Sequence, residues 1–446
     1  MTTRMTTLIL EDDTPKTFVE KVFRVFQSVG QSERSGTMIV PTARVSEEPS
    51  CGFTYRQLIG AAGDLADRFA EAADAIDHEG AFPRDEFAQL HHSGLLTASL
   101  AEHLGGVSLG LLGIRKRPPR PGATFALLRV LEEVGRGNLA VGRLFEGHVN
   151  ALLLIQRFAR PEQQEDWAAD ARSGRIFGVW NTQGADGVRF GEAAPDGRVE
   201  VLGSKTFASG AGYVARPIVT GARPDGLWQM AVVPIDELDV EIDETWWRPL
   251  GMRASASHRV DFGGVRIVAK ECLLGGPGEY FQEPWFSGGA IRFAAVQLGG
   301  ARALLDATVV SLREFGRTED PYQRTRVGQM AIAVESGRQW LRAAAEVADR
   351  VVDASDRASV AAAITHSQMT RTAIESICQD VLRLAEQSVG SRGLLRPHPI
   401  ERVGRDLTLY LRQPGPDSAL AQVGQTWLEG NPTPAAMNVD GLDLLP

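Results

Sequence analysis

The sequence predicts an α+β protein that is mostly helical, with a small β domain between two helical regions. From residue 53 to about 158, apolar residues recur at helical spacing, which indicates helices that turn one face toward a core. Between 172 and 272 the pattern changes to short alternating or apolar runs separated by Gly, Pro and Asp, which is typical of strands. Long helical stretches then follow, at roughly 289–316, 322–353 and 357–389. This order predicts an N-terminal helical domain, a middle β-barrel-like domain and a C-terminal four-helix bundle.

These changes of pattern divide the chain into five segments. In order, they are an N-terminal extension at 1–52, a helical domain at 53–171, a β domain at 172–272, a helical bundle at 273–430 and a tail at 431–446. The extension has one apolar pattern of helical spacing, made by Phe18, Val19, Val22, Phe23 and Phe26, and is polar and irregular beyond Gly30. Because chain ends are commonly poorly ordered, we expect the extension to be loosely attached.

The elements inside these segments follow from local signals. The first helix of the helical domain has an apolar stripe, made by Leu58, Ala61, Leu65, Phe69 and Ala72. A second helix opens at Phe82-Pro83 and runs toward Leu95, and helical character returns at 125–157 after a basic, proline-rich loop. In the β domain, the strand patterns begin at Val199, Pro217, Met230 and His258. The later helical stretches contain few helix breakers, as long bundle helices require.

Composition limits the class of protein and its surroundings. The 446 residues include 47 basic and 56 acidic ones, a net charge of −9 that argues against nucleic acid or an anionic membrane as the main partner. We see no apolar run near the ~20 residues of a membrane span and no secretory signal at the start, and we expect a cytoplasmic protein. The cysteines Cys51, Cys272 and Cys378 lie far apart, fit no zinc spacing and are expected to be unpaired thiols, with no metal site. A GxGxxG fingerprint is absent, which argues against a Rossmann nucleotide site.

Five short strings carry a family resemblance. They are GSKTFASGA at 203–211, GMRAS at 251–255, LREFG at 312–316 followed by Gln323, QSVGSRG at 387–393, and PIERVGRD at 399–406. In this order and spacing they resemble motifs of the acyl-CoA dehydrogenase superfamily, and the similarity extends over residues 53 to 412. The resemblance implies a flavoprotein with the helical, β and helical order predicted above.

The resemblance also implies a set of residues that bind FAD. Phe207 would contact the isoalloxazine ring, and the hydroxyl and backbone N–H of Ser209 would bond its polar edge. The preceding strand would add Trp180, with Asn181 and Thr182 facing the same ring. The glycines Gly390 and Gly393 would let backbone N–H groups approach the pyrophosphate. The alternative is that the aromatic residues belong to a core and the glycines to turns.

Four further residues are implied at the adenine end of FAD in a neighbouring subunit. They are Arg313, Phe315, Gln323 and Gln387. If they hold the cofactor across a subunit boundary, the protein is a homo-oligomer, a dimer or a tetramer.

The sequence departs from the superfamily where its usual catalytic base should be. Classical members abstract a carbon-bound proton with a glutamate after the Arg-Asp motif, where this chain has Pro414. Other members place the glutamate on the first bundle helix, where this chain reads Ala290-Ile291-Arg292. Arg412 stands where monooxygenases of the superfamily often carry a histidine, and we assign Arg292 and Arg412 to substrate binding.

A polar helix face suggests what the substrate is like. Arg143, Glu146 and Asn150 are spaced i, i+3 and i+7 and therefore share a face, on the helix that lines the far end of the acyl pocket in the family. A fatty chain makes little use of such groups, so we predict a small polar substrate bound by Arg143 and Asn150. The alternative is a salt bridge between helices, with Asn150 as a surface amide. Glu146 and His148 are the candidate replacement bases, and at most one of them can face the flavin.

Three functions remain open at this point. The first is a dehydrogenase or oxidase that passes hydride from a small polar, thioester-linked or free substrate to FAD, with an electron-transfer partner. The second is a two-component flavin monooxygenase, in which a flavin reductase supplies reduced flavin that activates dioxygen. The third is a flavin-free binding protein without catalysis.

Overall fold

The computed structural model describes residues 54–110, 120–351, 356–412 and 415–430. The N-terminal extension, most of the basic loop, Pro414, Cys51 and the tail therefore lie outside the described residues.

The helical domain begins with helices whose ends are set by capping residues. Their bounds are α1 Tyr55–Glu79, α2 Arg84–His92, α3 Ala123–Gly137, α4 Leu139–Phe158 and α5 Pro161–Arg172. Thr54 and Gln57 form a capping box that starts α1. The helix expected at 125–157 is in fact two helices, because Asn138 adopts an extended backbone that ends α3, and its side chain accepts from Ala140 N (2.9 Å) to cap α4. Likewise, α2 ends at His92, short of the predicted Leu95.

Two sheets make up the β domain and share one apolar core. The strands are β1 Phe177–Trp180, β2 Arg189–Phe190, β3 Arg198–Leu202, β4 Ser204–Ala208, β5 Arg216–Ala222, β6 Trp228–Val232, β7 Glu241–Asp243, β8 His258–Asp261, β9 Val265–Val268 and β10 Leu273–Leu274, with the short helix α6 Ala269–Cys272 before the last. The larger sheet has the order β10-β6-β5-β2-β3-β9, with β1 parallel to β5, and the smaller one is β4-β8-β7. Buried residues of both sheets, such as Val219 and Val260, meet in one cluster, as the barrel-like prediction requires.

Long helices follow, as the sequence predicts. They are α7 Ala290–Glu314, α8 Pro321–Arg350, α9 Arg357–Val389, α10 Pro399–Tyr410 and α11 Pro416–Leu428. By length and composition the stretch Ser287–Glu314 is apolar enough to cross a membrane, although 56% of its most apolar window is buried inside the protein. A central helix of a bundle passes the same test, so this stretch is weak support for a membrane span.

The N-terminal and C-terminal helices share a single apolar core, although the sequence pattern assigns them to two domains. One cluster of buried side chains includes Leu65 and Val134 together with Leu298 and Ile374. Close approach of α3 to α7 depends on Gly299, because a Cβ there would overlap the Glu132 carbonyl. The two helical segments therefore fold as one unit with a common core.

Two contacts attach the β domain to this helical layer. At the first, Gly210 lies against α4, where a Cβ would stand 3.1 Å from Leu144 Cδ2. At the second, Gly251 lies directly on the backbone of α10 at Arg405, and the N–H of Met252 donates to the carboxylate of Asp406. The first contact places the end of β4 beside α4, and the second places the loop at Gly251 against the middle of α10.

Candidate active site

Phe207, near the end of β4, presents an exposed aromatic ring. Its backbone φ is +52° and its side chain is 50% exposed. The rings of Trp246 and Trp247 meet it edge-on, with centroids 4.9 and 5.9 Å away. A non-glycine residue at positive φ is uncommon, so the surrounding structure must hold this conformation. The three residues, called the aromatic triad below, offer a flat ligand ring the apolar contact that a flavin needs.

Ser209 belongs to a chain of hydroxyl groups beside the triad. Its Oγ lies 2.9 Å from Ser257 Oγ, which lies 2.8 Å from Ser255 Oγ. Its backbone N–H donates to the Phe207 carbonyl (2.9 Å). The prediction that this N–H bonds the flavin is therefore wrong, and the hydroxyl is the donor that remains.

Trp180 is a core residue and not a flavin contact. Its side chain is 1% exposed within the apolar cluster of the β domain, so no face of the indole is open to a ligand. Nε1 donates to the Ser209 carbonyl (3.0 Å). The prediction that Trp180 binds the cofactor is corrected accordingly, and its contribution is to position Ser209.

Asn181 and Thr182 lie directly beyond β1, where a buried lysine fixes the chain. Lys205 Nζ donates to the Asn181 carbonyl (2.9 Å), to Gln183 Oε1 (2.8 Å) and to Thr220 Oγ1 (3.2 Å). Burial among these neutral acceptors lowers the pKa of Lys205 to about 7. Thr220 also donates to Asn181 Oδ1 (2.7 Å), so that the amide nitrogen of Asn181 has no partner among the described residues. That nitrogen and the exposed Thr182 are available to the polar edge of a flavin.

The polar face predicted on α4 is part of a network that reaches α7. Arg143 Nη1 donates to Glu146 Oε2 (2.7 Å), and Asn150 Nδ2 donates to Glu146 Oε1. Asn150 Oδ1 accepts from Nε of Arg292 on α7. Arg143 and Glu146 thus form a structural ion pair, but within one helix and not between helices as the alternative to substrate contact supposed. These four residues are called the polar cluster below; Glu146 is 2% exposed and Arg292 is 8% exposed.

Tyr410, the last residue of α10, interacts electrostatically with Glu146 and Arg143 of the polar cluster. Gln297 on α7 holds its backbone by donating to the Tyr410 carbonyl (3.0 Å). The ring is fully buried, and its hydroxyl has no partner in the described part of the chain. Burial, and next the negative charge of Glu146, raise the pKa of Tyr410 well above its usual value. Tyr410 is not among the residues predicted for the site, although its place one turn after Asp406 was a usable signal.

His148 is locked inside the protein and cannot serve as the base. Its side chain is fully buried, Nε2 bonds the Leu96 carbonyl (2.8 Å) and Nδ1 accepts from Phe177 N (3.0 Å). Burial lowers the pKa of His148 to about 4. Since both ring nitrogens are engaged by backbone groups, neither can take a substrate proton, and the catalytic assignment of His148 is wrong. Its role is to join α4 to β1.

Arg412 lies outside the polar cluster. Its side chain is 55% exposed and pairs with Glu375 on α9. One turn earlier on α9, Arg371 stacks over the Phe293 ring at 5.1 Å. The role of Arg412 in substrate binding stays a prediction.

At the predicted adenine end, one of the four residues is not available. Gln323 is 2% exposed; in the amide orientation that satisfies both ends, it donates to Ser388 Oγ (3.2 Å) and accepts from Arg317 (2.8 Å) and Arg326 (3.1 Å). A side chain so engaged in its own chain cannot reach a ligand in another subunit, which corrects this assignment. Phe315 is 40% exposed.

The other residues predicted at the adenine end are accessible, and their contact with a cofactor stays a prediction. Arg313 and Gln387 are exposed, and Arg392 lies over the Phe315 ring at 5.2 Å. Gly390 has a φ of +70° and open space around it, whereas a Cβ on Gly393 would press on Val389 at 3.0 Å. Packing in its own chain is thus a sufficient reason for the second glycine.

No group of three or more His, Cys, Asp or Glu side chains able to hold a metal ion occurs among the described residues.

Four residues near the end of β4 were not predicted from the sequence. Trp246 and Trp247 contact Phe207, and Ser255 and Ser257 continue the hydroxyl chain of Ser209. The adjacent tryptophans were visible as an aromatic pair, but only the fold brings them to β4.

Two family models match the helical regions of the chain. The N-terminal domain of acyl-CoA dehydrogenases matches residues 55–175, and the C-terminal domain of acyl-CoA dehydrogenases matches residues 291–411. Together they cover more than half of the chain.

Individual relatives divide between two kinds of enzyme. "Probable acyl-CoA dehydrogenase YngJ" of Bacillus subtilis is 26% identical over 359 residues, which are 76% of this chain and 88% of the relative. The dibenzothiophene monooxygenase of Mycolicibacterium goodii is 24% identical over 410 residues, 82% of this chain and 92% of the relative. Among solved structures, FMN-bound TdsC from Paenibacillus sp. A11-2 superposes with a TM-score of 0.75 at 22% identity, covering 85% of this chain and 99% of TdsC.

Proposed function

Since this chain belongs to the acyl-CoA dehydrogenase family, we propose that it is a flavin-dependent monooxygenase that receives reduced FMN from a separate reductase and oxygenates a small polar substrate. Membership makes the chain a flavin-dependent oxidoreductase, which sets aside the flavin-free binding protein considered from the sequence. The choice between dehydrogenation and oxygenation depends on the site.

The engagement of both candidate bases is the observation that carries the proposal. A dehydrogenase of this family needs a group that removes a carbon-bound proton. His148 has both ring nitrogens bonded to backbone, and Glu146 holds Arg143 with one oxygen and Asn150 with the other. Releasing the buried Glu146 from Arg143 and Asn150 would break both of these bonds and leave a partly buried guanidinium unpaired, which is costly. Oxygenation by reduced flavin needs no such base.

The residues at the end of β4 suit a flavin ring. The aromatic triad supplies an apolar surface, while Ser209 Oγ and the amide nitrogen of Asn181 supply polar groups to the ring edge. A reduced flavin bound there would supply the electrons that activate dioxygen. The role of the protein is to orient the ring, to keep water from it and to hold the substrate beside it.

FMN, in place of the FAD expected from the sequence, is supported by two observations. Gln323 faces Ser388 of its own chain and is not available to an adenine group. The structural relative TdsC is FMN-bound. A flavin reductase is the partner that such an enzyme requires.

The test compares the two directions of flavin chemistry in one preparation. The protein is reconstituted with FMN and mixed anaerobically with candidate substrates, and the flavin absorbance should not bleach. With reduced FMN, from NADH and a flavin reductase, and ¹⁸O₂, one labelled oxygen atom should appear in the product.

The variant Glu146→Gln separates the alternatives, with Glu165→Gln on the exposed face of α5 as the control. Anaerobic bleaching by a substrate, slowed roughly 10²–10⁴-fold in Glu146→Gln and unchanged in the control, would establish a dehydrogenase with Glu146 as its base and overturn the proposal.

A further inference from the structure

Arg292 is a buried cation whose outer nitrogens have no partner in the described part of the chain. Its side chain extends from the first turn of α7, and the residue is 8% exposed. Nε donates to Asn150 Oδ1, and no described residue accepts from Nη1 or Nη2. Gly289 lies beside Nη2, where a Cβ would stand at 3.1 Å. A buried guanidinium normally has its donors satisfied, so this one is prepared for an acceptor that the chain does not supply.

The charges around Arg292 do not balance. The polar cluster contains two guanidinium groups, those of Arg143 and Arg292, and one carboxylate, that of Glu146. That carboxylate lies 2.7 Å from Arg143 and makes no ion pair with Arg292. Burial lowers the pKa of Arg292 while the more distant charge of Glu146 opposes the shift. A guanidinium nevertheless stays charged at neutral pH, so the cluster holds one buried positive charge in excess.

A second unpartnered donor lies in the same region. The hydroxyl of Tyr410 is fully buried, has no hydrogen-bond partner among the described residues and is coupled to the charges of Glu146 and Arg143. The terminal nitrogens of Arg292 and the hydroxyl of Tyr410 therefore both lack a hydrogen-bond acceptor in the part of the chain that the structure describes. An anion with several oxygen atoms would bond them more strongly than a neutral group.

We propose that the substrate carries an oxyanion, a carboxylate or a sulfonate-like group, which binds the terminal nitrogens of Arg292. The inference rests on the proposed function, because it takes the polar cluster to line the pocket that holds the substrate beside the flavin. The oxyanion cancels the excess charge, and the fork of Nη1 and Nη2 matches its oxygen atoms. Arg292 thereby selects acids over their neutral analogues.

The experiment measures binding to the FMN-loaded, oxidised protein, without reductant. Benzoate, benzenesulfonate and acetate are titrated against the neutral analogues benzamide and acetamide, and the flavin spectrum and melting temperature are recorded. At least one acid should bind about tenfold or more tightly than its neutral analogue, as a charge-assisted pair predicts. Benzoate against benzenesulfonate then tells a carboxylate from a sulfonate.

Variants assign the preference to Arg292. Arg292→Met should remove it, Arg292→Lys should keep it in weakened form, and Arg302→Met should leave it unchanged. Arg302 is the matched control, because it lies on the same helix and pairs with Asp306 (3.0 Å) away from the cluster. If Arg292→Met does not fold, the wild-type preference and its partial retention in Arg292→Lys decide the question.

Equal binding of acids and amides by the wild type, or a preference that survives Arg292→Met, would overturn the inference. Because no reductant is present and no turnover occurs, this outcome is independent of the labelled-oxygen test. Acid preference without oxygenation would mean that the proposed function had failed and the anion site had not.

Discussion

Replacing His148 by alanine should destabilise the protein without affecting its chemistry. The imidazole bridges α4 and β1 by bonding the Leu96 carbonyl and the Phe177 N–H, and both backbone groups are left unpaired in the variant. An unsatisfied buried group costs about 1–3 kcal/mol. Since two such groups are left, the free energy of unfolding at pH 8 should fall by about 2–6 kcal/mol.

The same residue predicts how this difference depends on pH. Burial lowers the pKa of His148 from 6.5 to about 4 in the folded protein. Between these values the unfolded chain binds more protons, so the stability due to the neutral imidazole is complete above pH 6.5 and is lost as the pH falls toward 4. At pH 5 the wild type should have lost about 2 kcal/mol on this account. The difference in the free energy of unfolding between wild type and His148→Ala should therefore be smaller at pH 5 than at pH 8 by about 2 kcal/mol.

Urea unfolding at pH 8 and pH 5, followed by circular dichroism, measures both quantities. His103→Ala is the control, because His103 is exposed. A gap that is equal at the two pH values would refute the buried, neutral imidazole. Unchanged stability together with a hundredfold loss of turnover would restore His148 as a base.

Three further predictions concern the flavin contact, a buried carboxylate and the substrate pocket. Phe207→Ala should weaken FMN binding about tenfold, because an aromatic contact contributes about 1–1.5 kcal/mol. Leu227→Ala is the control, because Leu227 is equally exposed in the β domain, and it should leave FMN binding unchanged. Quenching of flavin fluorescence measures both affinities. Burial raises the pKa of Asp406 to about 6, so the stability that its protonated form contributes is lost as the pH rises from about 4 through 6. In urea unfolding, the free energy of unfolding of the wild type should fall by about 1–2 kcal/mol between pH 5 and pH 8, whereas that of Asp406→Asn should not. Octanoyl-CoA should leave the flavin absorbance unbleached in anaerobic mixing, because under the proposed function the polar cluster would line the substrate pocket and suit an acyl tail poorly. Rapid bleaching would contradict this.

The order and type of the elements could be read from the sequence because each has a strong local period. The apolar stripes of the bundle helices and the alternation in the β domain both reflect burial of one face, which a single chain reveals. The break at Asn138 was missed, since an apolar pattern continues through it and only a side-chain cap marks the boundary. The shared core of the two helical regions was also missed, because it depends on contacts between distant glycines and backbone.

The site residues differ in how far their surroundings can be read from local sequence. The ring of Phe207 is exposed at the end of β4, and its contact with a flavin stays a prediction. His148 and Gln323 looked functional by residue type and position, and only the structure shows that each is saturated by groups far away in sequence. The excess charge at Arg292 is likewise a property of α4 and α7 together.

The seam between Gly251 and α10 has a consequence for how this sequence can change over evolutionary time. Any side chain at Gly251 would collide with the main chain at Arg405, and the Met252 N–H, held at a φ of +56°, depends on the acceptor that Asp406 provides. Since the collision is with main chain, no substitution at Arg405 relieves it, and since the Met252 donor is a backbone N–H, only the acceptor depends on a side chain, that of Asp406. In descendants of this protein, Gly251 and an acceptor at position 406 should therefore persist, while the exposed neighbour Leu250 drifts freely.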